Sequence, residues 1–455
     1  MGIVTINPAT GRKLRTYREH TARQCERAVA RAHATGLEWR RTPLARRARL
    51  LRALARELRG KQTVYAAFAT REMGKPVTQA LAEVEKSALG CDFYAEHGAT
   101  YLADERPAGA PAHRYVTYQP LGVLLAIMPW NFPFWQIYRV AAPALMAGNT
   151  VLLKHAAHVT GCALLIEESF RRAGFPRGVF QSLVVGSERA SMLVQHPEIA
   201  AVTFTGSTAT GKKIAALAGA AMKKCVFELG GSDPYLVLAD ADLALAAEMC
   251  TAARLYNNGQ SCVAAKRLIV VESVREKFEP LLVERMAARR TGDPRVATTD
   301  LGPLARADLR ATLHAQVQRS IRRGARLLLG GRLPAGPGYY YPPTVLTGVR
   351  PGMPAMDEET FGPVAVVISA RDEADAIRLA NATPYGLGAA VFTRNRKRGE
   401  RLAREELECG NAFVNEFVRS HPALPFGGVK QSGHGRELGV FGLREFVNPK
   451  TVSVA

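Results

Sequence analysis

The feature that most restricts how this chain folds is an alternation of short, wholly apolar runs with segments of helix length. Val123-Leu124-Leu125-Ala126-Ile127-Met128 is the first run, Thr150-Val151-Leu152-Leu153-Lys154 the second, and Ala201-Val202-Thr203-Phe204 the third. Strands apolar at nearly every residue are buried on both faces, and strands joined through helices run parallel. The rhythm resumes after Glu228, with strands at 235–238 and 267–271 around a helix from Leu243 to Tyr256. Two parallel α/β units are expected, which suits a chain of 455 residues, too long for one core. Residues 20–100 read as helices rich in Ala, Leu and Arg. At the other end, Thr451-Val452-Ser453-Val454 alternates as a strand with no local partner. It is expected to pair with the 114–118 strand or with a neighbouring subunit.

Charge and cysteine usage narrow the class. The net charge is +21. Its densest stretch, Arg40 to Lys61, interleaves Arg46, Arg47, Arg49, Arg52, Arg56 and Arg59 with Leu50, Leu51, Leu54 and Leu58. That pattern predicts a helix with an apolar stripe and a solvated basic face. No basic platform interleaved with aromatics accompanies it, so nucleic acid is not the expected partner; the charge instead concentrates anionic ligands. The seven cysteines form no CxxC pair and no His cluster accompanies them, which argues against a metal site or a disulfide framework. No apolar run reaches the roughly 18 residues needed to cross a bilayer, and the N-terminus lacks the regions of a secretory signal. The expectation is a cytoplasmic protein without a membrane partner.

Chemistry is concentrated in a few loops. Cys262 ends the run Asn257-Asn258-Gly259-Gln260-Ser261-Cys262, downstream of Glu228-Leu229-Gly230-Gly231. A thiol beside glycine and small polar residues is open to a substrate carbon, and an acid ahead of a Gly-Gly turn fits close to a reacting centre. Together they suggest covalent catalysis at a carbonyl, with the carboxylate activating water; a buried cysteine acting as a small hydrophobe is the alternative. Gly206 to Lys213 nearly matches a P-loop, but Lys213 stands where a Mg²⁺-binding hydroxyl is required, which argues against an ATPase. Gly206 and Ser207 still open a helix as a dinucleotide pyrophosphate site does, and a well-capped helix start fits the same residues. Asn131, in Trp130-Asn131-Phe132-Pro133, follows the 123–128 strand, at the strand ends where parallel sheets bind ligands. Its amide suits an oxyanion or the cap of the next helix. Lys154 ends a strand within reach of a ribose or phosphate, or at the solvent boundary. Glu359 suits ribose hydroxyls and Phe361 a flat ring, unless they form an exposed acidic turn.

In this order and spacing, the set PWNFP, Lys154, FTGST, ELGG, NNGQSC, EETFGP and PFGGVKQSG resembles the aldehyde dehydrogenase superfamily over nearly the whole chain. The resemblance implies an α/β fold with a Rossmann-like cofactor domain (1–102 and 121–230), an α/β catalytic domain (231–430) and a β-strand oligomerisation arm (103–120 and 444–455). A homodimer or homotetramer is implied with it. Cys262 matches the nucleophile, Asn131 and the Cys262 N–H the oxyanion hole, and Glu228 the base that hydrolyses the thioester. Such a base argues against the acylating branches, where thiol or phosphate replaces water. Trp130, Gly206 and Ser207 match cofactor positions, Lys154 and Ala157 the adenosine-ribose site, and Glu359 with Phe361 the nicotinamide-ribose site.

The Cys262 run and Pro133-Phe134-Trp135-Gln136-Ile137-Tyr138-Arg139 are most similar to the shorter succinate-semialdehyde dehydrogenases. Asn131 and Arg139 lie about 12 Å apart along a helix axis. Helical side chains lean toward the N-terminus, so Arg139 is expected to bind the substrate carboxylate bidentately, with Ser420 adding a hydroxyl. A structural ion pair is the competing reading for Arg139, and Glu416-Phe417-Val418-Arg419 departs from the family pattern nearby. Members preferring NAD often carry Glu three residues after the lysine; Ala157 stands there, so NADP is the expected cofactor, with NAD second and His155 a further attraction for the 2′-phosphate. The alternatives are an aldehyde dehydrogenase of broad or different range and a non-enzymatic protein on the same fold.

Overall fold

Residues 2–454 are described by a computed structural model. The chain begins with a hairpin that its periodicity does not announce, β1 (Gly2–Ile6) against β2 (Lys13–Arg18). Four helices follow: α1 (Ala22–Trp39), α2 (Leu44–Gly60), α3 (Gln62–Met73) and α4 (Val77–Tyr101). Thr21 and Gln24 close a capping box on α1, satisfying two of its orphan N–H groups. On α2, Leu51, Leu54 and Leu58 are buried as the stripe requires. Arg47 departs from the expected solvated face. It is buried, and its guanidinium donates to the carbonyls of Met146 at 3.0 Å and of Trp39 and Arg40 at 3.2 and 2.6 Å. Those carbonyls end two helices, where a cation satisfies unpaired acceptors and opposes the dipole.

After β3 (Arg114–Pro120) come β4 (Val123–Met128), α5 (Trp135–Ala147), β5 (Thr150–His155), α6 (Thr160–Arg172), β6 (Phe180–Ser182), α7 (Ser187–Val194), β7 (Ile199–Thr205), α8 (Thr208–Ala220) and β8 (Lys224–Glu228). The strands form a parallel sheet in the order β8-β7-β4-β5-β6. The chain leaves β4 in one direction and returns on its other side, so the crevice between β4 and β7 is a topological switch point, where such sheets bind ligands.

Gly230-Gly231 leads straight from β8 into a second sheet. Its strands are β9 (Asp233–Val237), β10 (Ala265–Val271), β11 (Arg326–Leu329), β12 (Thr344–Thr347), β13 (Val364–Ala370), β14 (Gly388–Phe392) and β15 (Asn411–Val414). Their order is β11-β12-β13-β10-β9-β14-β15, parallel except for β11. The helix α9 (Leu243–Leu255) joins β9 to the Cys262 loop. β16 (Gly433–His434) returns to the first sheet, antiparallel beside β8. The terminal strand β17 (Val447–Ser453) pairs antiparallel with β3, Val447 opposite Pro120 and Ser453 opposite Arg114, the nearer of the two partners its pattern admits.

This connectivity places the loops. Residues 129–131 and 206–207 follow β4 and β7, at the C-terminal edge of the first sheet. Residues 229–232, 259–264 and 359–363 precede β9, β10 and β13, at the N-terminal edge of the second. The direct β8–β9 crossing brings the two edges together.

Candidate active site

Cys262 is presented by a turn that few sequences tolerate. Asn257, Asn258 and Gly259 have φ of 56°, 58° and 73°, three successive left-handed residues. Asn is among the few side chains with Cβ that enter this region readily, and Gly enters freely. The amides then hold what the backbone has twisted. Asn257 Nδ2 donates to the carbonyls of Asn131 at 2.7 Å and Gln260 at 3.0 Å. Asn258 Nδ2 donates to Gly74 and Pro303 carbonyls, its Oδ1 accepts from Gly302 N, and Gln260 Oε1 accepts from Ala305 N. Buried Arg254 donates to Gly259 O at 2.9 Å and Thr360 O at 3.2 Å, joining the Cys262 loop to the Glu359 loop. In the sequence these residues read only as glycine and small polar neighbours of the thiol; the Asn-Asn-Gly triplet is the local signal for the left-handed turn.

Asn131 is fixed with equal care. Its Nδ2 donates to Gln260 O at 3.1 Å, and its Oδ1 accepts from Gln136 Nε2 at 3.1 Å. One N–H of the amide is thereby left for a further acceptor. The start of α5 has no cap of its own. Glu83 on α4 supplies one: its Oε1 accepts from Phe134 N at 2.8 Å and Trp135 N at 2.9 Å, while its other oxygen pairs with buried Lys75.

Two cavities meet at Cys262, and Gln136 also borders both. The first is bounded by Trp130, Asn131, Gly206, Ser207, Glu359 and Phe361. The second is bounded by Lys86, Trp135, Arg139, Ser420 and Phe426 among others. Of the residues predicted for chemistry and cofactor, the structure therefore brings Cys262, Asn131, Trp130, Gly206, Ser207, Glu359 and Phe361 to one space, and Arg139 and Ser420 to the adjoining one. Glu228 borders neither cavity; its charge acts on Cys262, and its Oε1 is so close to Gly427 that a Cβ there would stand 2.6 Å away.

The first cavity has the features of a dinucleotide site. Gly206 is needed because a Cβ would meet the Phe204 ring at 2.6 Å. Ser207 is the N-cap of α8, accepting from Thr210 N at 3.4 Å, and it also borders the cavity, so its cap role and a place at the cavity coexist. Glu359 Oε1 accepts from Lys266 Nζ at 2.8 Å and Gly231 N at 3.1 Å, bonds in which Oε2 takes no part. Lys266 also donates to Cys262 O at 2.8 Å and Gly231 O at 2.5 Å, tying three loops together; the sequence reading missed it. Phe361 meets Trp130 edge-on, with centroids 5.7 Å apart.

Lys154 is half-buried at the end of β5, where burial lowers its pKa, and Ala157 is exposed two residues past the strand. His155 corrects the expectation that it attracts a phosphate. It is buried beneath the strand end, its Nε2 lies 3.0 Å from Pro133 O, and burial pulls it down to about 4, so it is neutral.

Electrostatics on the other side are dominated by buried acids. Burial pushes Cys262 up to about 12 against the pull of Arg139 and Lys266, so at neutral pH it rests as the thiol. Burial raises Glu228 well above the usual carboxyl range, and neighbouring Glu437 raises it further, with Arg139 and Arg436 opposing. Glu437 pairs with Arg139 Nε, and Arg139 lies 5.1 Å from the centroid of Phe426. Both readings of Arg139 therefore meet: it borders the second cavity and it stands in an ion pair. Ser420 Oγ accepts from Lys86 Nζ and from Trp135 Nε1.

A stability test follows from Glu228. Its pKa is raised in the fold, so above the unfolded carboxyl value the folded state holds the proton that the unfolded chain releases. The unaltered protein thus loses stability as pH rises through this window, and Glu228→Gln does not. The Tm of Glu228→Gln relative to the unaltered protein is expected to increase by a few degrees between about pH 5 and about pH 8. A constant or shrinking difference in thermal melts contradicts the buried, proton-holding carboxyl.

Comparison with known proteins gives concordant results. A profile described as the aldehyde dehydrogenase family matches residues 1–452. The chain is 49% identical over 455 residues to a probable NADP(+) succinate-semialdehyde dehydrogenase of Synechocystis sp., covering all of both chains. It is also 49% identical to the NAD(P)+ succinate semialdehyde dehydrogenase Sad of Escherichia coli, over 99% of this chain and 97% of that protein. Among solved structures, the succinic semialdehyde dehydrogenase from Streptococcus pyogenes in complex with NADP+ superposes with a TM-score of 0.97 at 35% identity over 99% of each chain.

Proposed function

The chain belongs to the aldehyde dehydrogenase family, and from that premise we propose that it oxidises a carboxylated aldehyde, succinate semialdehyde to succinate, using NADP in preference to NAD. The observation that carries this reading is the position of Cys262 on both cavities, one with dinucleotide features and one lined by cations. The names of the relatives support the substrate and the cofactor.

Cys262 gives up its proton to solvent and its sulfur attacks the aldehyde carbon, forming the C–S bond of a thiohemiacetal whose carbonyl oxygen takes the negative charge. Its oxygen is held by the free N–H of Asn131 and the Cys262 backbone N–H. Gly206, Ser207, Trp130, Lys154, Glu359 and Phe361 would hold a nicotinamide dinucleotide, which would supply the hydride acceptor that the thiohemiacetal needs to become a thioester on Cys262. Glu228, once it has released its own proton to solvent, takes a proton from water as the water oxygen attacks the thioester carbon; the C–S bond breaks, the acid leaves and that proton passes to the Cys262 sulfur, restoring the thiol. Glu228 swings from its place against Gly427 to do so. The β3–β17 ribbon is the proposed contact in a homodimer or homotetramer.

The test is a panel of succinate semialdehyde, 4-aminobutanal and butanal with each cofactor. The highest kcat/KM is expected for succinate semialdehyde with NADP; a preference for the amino or aliphatic aldehyde overturns the substrate. Ala157→Glu places a carboxylate where the 2′-phosphate is proposed to sit. It is expected to lower kcat/KM for NADP about tenfold or more relative to NAD, the cost of a like-charge contact of modest strength. An unchanged NADP/NAD ratio contradicts the assignment of this corner.

A further inference from the structure

The second cavity contains a cation that its surroundings leave uncompensated. α4 packs on α5 through small residues: a Cβ on Gly90 would stand 3.0 Å from the Trp135 ring, and one on Gly98 2.4 Å from the Met146 side chain. Lys86 precedes Gly90 by one turn and so shares this face, which carries its side chain into the cavity that Cys262 borders. Its Nζ lies 4.7 Å from the Trp135 ring centroid and donates to Ser420 Oγ at 2.9 Å, while Trp135 Nε1 donates to the same oxygen at 3.1 Å. Ser420 accepts twice, and its own hydroxyl hydrogen remains for another acceptor.

The neighbouring charges are already matched. Arg139 is paired with Glu437. Arg419 is paired with Glu416 at 3.3 Å and both are largely exposed. Glu83, one turn before Lys86, is engaged by Lys75 and by two N–H groups of α5. Among the described residues no carboxylate oxygen comes within ion-pair distance of Lys86. Burial and then the Arg139 charge bring its pKa down to about 8, so it is still largely protonated at neutral pH.

We infer that Lys86, with the hydroxyl of Ser420, is the principal recognition element for the carboxylate of the substrate, and that Arg139 is mainly the counter-ion of Glu437. An approaching carboxylate meets an unpaired ammonium at Lys86, whereas at Arg139 the attraction of the guanidinium is largely offset by repulsion from Glu437. This inference rests on the carboxylated aldehyde proposed above.

The experiment compares kcat/KM for succinate semialdehyde and butanal, with NADP, in the unaltered enzyme, Lys86→Met, Lys86→Gln and Lys86→Arg. Lys86→Met and Lys86→Gln are expected to lower the succinate semialdehyde/butanal ratio about thirtyfold or more, mainly through KM, as loss of one partner of a buried charge pair does. Lys86→Arg is expected to keep most of the ratio. If the unaltered enzyme shows no preference for succinate semialdehyde, the proposed substrate falls and this inference with it. If that preference is present and survives in Lys86→Met or, should that variant fail to fold, in Lys86→Gln, this inference alone is overturned.

Discussion

Replacing Cys262 by alanine is expected to lower kcat for aldehyde oxidation by about four orders of magnitude or more, the scale seen when a covalent nucleophile is removed. The side chain is small and borders two cavities, so the variant retains the fold, and its melting temperature provides the control. The same residue makes a second expectation about the unaltered enzyme. With its thiol pushed up to about 12, only a minute thiolate fraction exists at neutral pH, and alkylation by iodoacetamide is expected to accelerate roughly tenfold per pH unit through the neutral range. A rate flat with pH would show a thiolate already formed, and Arg139 and Lys266 would then outweigh burial.

Glu228→Gln is expected to lower steady-state turnover about 10²- to 10⁴-fold, the usual contribution of a positioned base. The loss falls on one step. Attack by Cys262 and reduction of the nicotinamide continue, so rapid mixing is expected to show one equivalent of NADPH per active site followed by a slow phase. Loss of the burst together with the slow phase would place Glu228 in proton removal from the thiol as well. Its position against Gly427, under the opposing charges of Glu437 and Arg436, suits a group that is held protonated at rest and gives up that proton only when it turns toward the reacting carbon.

The sequence disclosed the sheets because their strands are buried on both faces, and an all-apolar run of this kind has few other uses. It pointed to Cys262, Glu228 and Asn131 through the joint order and spacing of several short runs, since alone Cys262 also fits a buried hydrophobe and Asn131 a helix cap. What it hid has a common character. Arg47, Glu83, Arg254 and Lys266 are charged residues in ordinary helix or strand positions, and their partners lie in distant segments or are backbone carbonyls. No local pattern separates such a residue from a solvated one; Arg47 sits amid seven other arginines between residues 40 and 61, and only the end of α5 reveals its purpose. His155 erred in the opposite sense. Beside Lys154 it looks like a second cation for a phosphate, yet strand alternation turns it beneath the sheet edge, where burial removes its charge. Arg139 shows the limit most clearly, since a sequence gives no sign that Glu437, far along the chain, already balances it.

Trapping the covalent intermediate tests the whole account most directly. Glu228→Gln is mixed with succinate semialdehyde and NADP, quenched in acid, and analysed by intact mass and peptide mapping. A succinyl thioester on Cys262, in step with the burst of NADPH and absent without cofactor, is the predicted result. NADPH formed with no adduct on Cys262, or an adduct carried by another residue, would contradict it.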